Sequence, residues 1–196
     1  MKNSKFSITV YCGASSDVQP PHLNIAHELG IFIGENNWAL YYGGSKAGLM
    51  GAVAAACFEA GGEVHGISFE NEFLSSREPK NENLTSHHMA KNIHLRKEIL
   101  HESADAIVIL PGGLGTLDEA FEALTLQYVG VLKAPIIILN HKGFWQPLEH
   151  LITHLTKEKF LQDVTRLNYQ FIDSLDEAKK ELIANSEKKS HLKRIS

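Results

Sequence analysis

Cysteine is nearly missing from this chain: Cys12 and Cys57 are the two among 196 residues. They stand far apart and without metal-ligand spacing, which argues against a disulfide framework and reads as two reduced packing residues. There is no basic excess. A net charge of -4 and a pI near 6.2 leave no global attraction to nucleic acid or to an anionic membrane. No apolar run is long enough to span a bilayer, and residues 1–7 lack a signal-peptide core, so a cytoplasmic location without membrane partners is expected. His87, His88 and His94 belong to no compact metal signature, so neither a metal nor another cofactor is expected. Gly-Lys-Ser and Gly-Lys-Thr are absent, which removes the Walker A loop. Gly113-x-Gly115 lacks the third glycine of a dinucleotide fingerprint, because Asp118 stands in its place. Internal repeats and linker composition are missing too. With 43% hydrophobic and 21% charged residues, the chain reads as one globular domain over 1–185 followed by a polar tail, 186–196.

Against these absences stands the stretch from Leu110 to Glu119, Leu-Pro-Gly-Gly-Leu-Gly-Thr-Leu-Asp-Glu. The apolar, β-branched run 104–110 before it predicts a strand buried on both faces. The residues after it, 120–129, repeat apolar positions at three and four and predict a helix. A glycine turn between a strand and a helix is suited to an anion, since the first helical amides have no intrahelical partner and carry the positive end of the dipole. The same letters support a second reading. Thr116 and Glu119 have the spacing of a capping box, which starts a helix without any ligand.

The rest of the chain alternates in the same way. Strands are expected over 6–12, 38–42, 63–68, 134–139 and 167–172, and helices over 20–35, 52–60, 92–100, 144–155 and 174–182. The polar segment 69–91 is longer than an ordinary connection and reads as a lid or binding loop. Two further turns fall at strand ends: Gly13-Ala-Ser15-Ser, and Gly43-Gly44 opening the run to Gly51. The alternation predicts an α/β fold, a single-domain Rossmann-like doubly wound, mostly parallel sheet with helices on both faces and ligands at the carboxyl ends of its strands.

Gly43-Gly-Ser-Lys-Ala-Gly-Leu-Met-Gly51, with Arg96-Lys97 and Pro111-Gly-Gly-Leu-Gly-Thr-Leu-Asp-Glu119, resembles the Lonely Guy (LOG) family of cytokinin riboside 5'-monophosphate phosphoribohydrolases. The likeness runs from about residue 6 to residue 182. Such proteins are often labelled possible lysine decarboxylases, yet nothing in the chain argues for a pyridoxal site. The resemblance implies hydrolysis of the N-glycosidic bond of AMP or N6-modified AMP, giving free base and ribose 5-phosphate. It implies Arg96 and Glu119 as the catalytic pair, with substrate contacts at Glu78, Lys97, Gly112, Gly113, Leu114, Gly115, Thr116, Leu117, Asp118 and Thr125. Gly13, Ser15, Gly43 and Gly44, from the other turns, join that set. It also implies at least a homodimer with active sites completed across a two-fold interface, and Phe121 to Leu132 offers apolar surface for one. The alternative on the same fold is a non-catalytic nucleotide or molybdenum-cofactor carrier.

Overall fold

In a computed structural model, residues 5–71 and 81–195 are described, the last three of these by backbone alone. Among the described residues, seven strands lie in one sheet: β1 (Ser7–Tyr11), β2 (Ala39–Tyr42), β3 (Glu63–Phe69), β4 (Ser86–Ala90), β5 (Ala106–Ile109), β6 (Ile136–Leu139) and β7 (Tyr169–Ile172). Their order is β4-β3-β2-β1-β5-β6-β7, and every pairing is parallel. The chain moves outward on one side of β1, then crosses to β5 on its other side. That reversal opens a crevice at the carboxyl ends of β1 and β5, where this class of sheet binds ligands.

Strand alternation sorts the core into two layers. Val10, Leu40, Val64 and Val108 face one side with α1 (Pro20–Glu35), α2 (Gly48–Glu59) and α6 (Leu175–Ile195). Ile107, Ile109, Ile136 and Ile138 face the other with α3 (Ile93–Ser103), α4 (Leu114–Tyr128) and α5 (Gln146–Lys157). β-branched residues buried on both faces of β5 and β6 are what a central parallel strand requires.

Three departures from the expected elements bear on function. The segment expected as one long loop contains β4, which pairs with β3 from His65↔Ser86 to Phe69↔Ala90. Its first four residues are exposed, so this edge strand carries no apolar alternation. Both helices after the glycine turns begin earlier than expected, α2 at Gly48 and α4 at Leu114. Residues 183–195 continue α6 as helix, with Lys189 paired to Asp105 and donating to the Lys5 carbonyl at 3.0 Å.

Candidate active site

A cavity of about 410 Å³ opens over the carboxyl ends of β1, β2, β3 and β5. Its geometry starts with one glycine. A Cβ at Gly112 would lie 2.9 Å from the Gly13 nitrogen and 2.7 Å from the Thr116 Cβ, so this position brings the loop after β5 against both the loop after β1 and the first turn of α4. Gly13 N donates to the Pro111 carbonyl at 3.0 Å and fixes the two loops together.

The capping-box reading fails here. Gly113 is the N-cap of α4 and offers no side-chain cap, while Thr116 is already helical and buried against Gly112. Leu117 N makes the early helical bond to Gly113 O at 3.0 Å. The amides of Leu114, Gly115 and Thr116 therefore lead the helix at the cavity, with Gly113, Leu114 and Gly115 exposed. The second glycine turn differs. Two leading amides of α2, from Leu49 and Met50, donate to the Gly13 carbonyl at 2.9 and 3.3 Å. An anion has its open helix end at α4.

The charged pair comes from the other side of the crevice. Asn92 caps α3, accepting from Leu95 N at 2.9 Å, which sets Arg96 one turn into the helix. Arg96 Nε donates to the Ile67 carbonyl at 2.9 Å and Nη1 to Glu119 Oε1 at 2.8 Å. Gly43 leaves space for this guanidinium: a side chain there would collide with it and with Met50. Glu119 is 4% exposed. Burial pushes its carboxyl up to about 7, outweighing the downward pull of Arg96 beside it.

Gly13, Ser15, Gly43, Gly44, Arg96, Gly113, Leu114, Gly115, Thr116 and Glu119 all line this cavity. Gly112 sits beneath it as described. Lys97 is buried and paired with Asp118 at 2.9 Å and Glu122 at 2.5 Å, away from the cavity wall. Leu117 packs in the core layer of α4, and the exposed Thr125 donates to the Phe121 carbonyl at 2.7 Å. Glu78 lies outside the described residues. The wall also contains Cys12, Ser45, Met50, Ser68, Phe69 and Ile93, which sequence reasoning did not select. Ser68 and Phe69 could have been found from the rule that strand ends line such sites; Met50 falls inside the second glycine turn and Ile93 in the expected helix 92–100, and neither carries a polar group that marks it. A larger hollow of about 760 Å³ between α3 and α4 contains none of the expected residues.

Residues 50–182 match the family described as possible lysine decarboxylase. A cytokinin riboside 5'-monophosphate phosphoribohydrolase of Rhodococcoides fascians is 36% identical over 160 residues, covering 82% of this chain and 80% of that protein. The Mycobacterium tuberculosis protein of the same name is 31% identical over 176 residues, covering 88% and 91%. Among solved structures, a molybdenum cofactor carrier protein of Chlamydomonas reinhardtii superposes with a TM-score of 0.70 at 22% identity, covering 92% of this chain and 99% of the carrier. At that identity the likeness speaks for the fold alone.

Proposed function

Because the chain belongs to the family of cytokinin riboside 5'-monophosphate phosphoribohydrolases, we infer that it hydrolyses the N-glycosidic bond of AMP or N6-modified AMP, releasing the base and ribose 5-phosphate. The observation that carries the assignment to this cavity is the ion pair of Arg96 with the buried Glu119 beside an uncapped helix start.

The chemistry follows from that arrangement. A 5'-phosphate at the leading amides of α4 meets free donors and the positive end of the helix dipole. It fixes the register of the nucleotide, which favours a monophosphate over a nucleoside. Departure of the base develops positive charge at the anomeric carbon, and a carboxylate nearby stabilises that charge and takes a proton from the attacking water. We assign both roles to Glu119; its position in the cavity wall beside Arg96 and a carboxyl that burial raises to about 7 support this. Arg96 holds Glu119 and presents its remaining N–H groups to the nucleotide.

The preferred base remains part of this proposal, as do a cytoplasmic location and the absence of nucleic-acid binding. No helix among the described residues is long and apolar enough to cross a membrane. A homodimer is also proposed, supported by apolar exposure at Phe121, Val129 and Val131 along and just after α4. Incubation with AMP and with its N6-isopentenyl derivative, followed by chromatography of the free bases, tests the reaction. Release of adenine or isopentenyladenine is expected; binding of either nucleotide without cleavage would instead point to the carrier reading.

A further inference from the structure

Ser68 stands at the carboxyl end of β3 and lines the cavity, yet the mechanism above leaves it unused. Its Oγ lies 2.7 Å from His87 Nε2 on β4 and 3.6 Å from the Met89 sulfur. The two strands hold this pair in register, Gly66 opposite His87 and Ser68 opposite Met89. The turn after β2 lies against the pair: Gly44, held at φ 84°, sits where a Cβ would be in ordinary contact with the Ser68 Cβ at 3.5 Å and His87 Nε2 at 3.6 Å.

Position along the crevice gives the pair its meaning. The open end of α4 lies at β5, Glu119 follows, and Arg96 reaches from Glu119 to the carbonyl of Ile67. Ser68 is the next residue. A nucleotide with its phosphate at α4 and its anomeric carbon at Glu119 therefore extends its base toward β3. The departing base gains an electron pair on a ring nitrogen as the glycosidic bond breaks, and a hydrogen bond to that nitrogen lowers the barrier. Arg96 can donate a hydrogen bond, but two of its N–H groups are committed and its charge is fixed.

We propose that Ser68 is a catalytic residue that donates its hydroxyl hydrogen bond to the departing base, and that His87 is a positioning residue whose Nε2–H donates to Ser68 Oγ and so leaves the hydroxyl proton to be donated elsewhere. The Met89 sulfur, a weak acceptor at 3.6 Å, holds that proton loosely until a ring nitrogen replaces it. This inference rests on the proposed reaction and adds a group that acts on the leaving base.

A pair of substrates tests it: AMP, whose base leaves poorly, and p-nitrophenyl riboside 5-phosphate, whose nitrophenolate leaves without help. Ser68→Ala is expected to lower kcat on AMP at least about tenfold while KM changes less, and to leave cleavage of the nitrophenyl substrate near wild type. His87→Ala, on an exposed strand where folding tolerates it, should show the same selective loss, and His87→Asn, which restores an N–H donor, should recover part of it. Equal loss on both substrates, or none on AMP, in folded Ser68→Ala or His87→Ala overturns the assignment while the reaction stands. Failure of the wild type to cleave either substrate would overturn the reaction and this inference together.

Discussion

Glu119 shows how one side chain's meaning changes when its surroundings become known. In the sequence it stood three residues after Thr116 and could have been a helix cap, but in the structure it is the sixth residue of α4 and its partner is Arg96. Glu119→Gln keeps an acceptor for the Arg96 N–H and removes the negative charge. The variant should stay folded and bind AMP, while turnover falls at least about a hundredfold, as loss of a general base implies. Near-normal turnover would reduce the pair to a structural bridge. The pH dependence has a definite sign. A carboxyl raised from an ordinary 4.5 to about 7 is mostly protonated below neutrality and mostly ionised above it, so turnover should climb as pH rises through about 7. Stability should move the other way. The folded state holds the proton more tightly than the unfolded chain, so this contribution is full below 4.5 and is lost as pH rises through about 7, a change on the order of 3 kcal/mol. Melting curves of wild type against Glu119→Gln from pH 5 to pH 8 check it: the wild type should lose ground steadily, and a constant gap would contradict the raised value.

At the scale of elements, the central strands were legible because burial on both faces leaves a contiguous apolar run, and the helices because one buried face leaves a three-to-four-residue period. What the pattern missed has physical reasons. β4 is an exposed edge strand held by its pairing to β3, so Ser86, His87 and His88 carry no alternation. The start of α4 was misplaced because a glycine N-cap has no side chain to advertise it, whereas Thr116 mimicked one. The glycine turn itself is a strand-to-helix passage as expected, and Arg96 and Glu119, which the structure brings into one hydrogen bond, were paired only through family resemblance, since 23 residues separate them and no spacing rule joins them. The open end of α4 carries its own prediction. Gly112→Ala would drive a Cβ into the side chain of Thr116 and the backbone of Gly13, shifting the leading amides. KM for AMP should rise at least about tenfold, with a smaller change in kcat, because a lost phosphate contact weakens binding in both ground and transition states. In wild type, adenosine should be cleaved far more slowly than AMP; equal rates would remove the phosphate from the mechanism.

At the scale of the whole molecule, one sheet covered on both faces buries the core, and part of the apolar surface left exposed lies along and just after α4. Phe121 on α4 is 37% exposed, and Val129 and Val131 just after its end are 56% and 71% exposed. Thr125 joins them, donating to the Phe121 carbonyl and accepting from Val129 N; it and Asp118, earlier on the helix, are expected substrate contacts that the cavity of a single chain does not include. A second copy seated on this surface would bury the apolar residues and bring α4 residues of each protomer near the interface, a use of Thr125 and Asp118 that a lone chain does not have. Light scattering at assay concentration should therefore report at least twice the 21.7 kDa chain mass. Val131→Asp places a charge in the proposed contact without touching the Arg96–Glu119 pair or the start of α4. It should shift the protein toward monomer and lower activity in step with dissociation, with activity recovering at higher protein concentration. A wild-type monomer with full turnover would exclude the shared site, and a dimer unaffected by Val131→Asp would place the interface elsewhere on the fold.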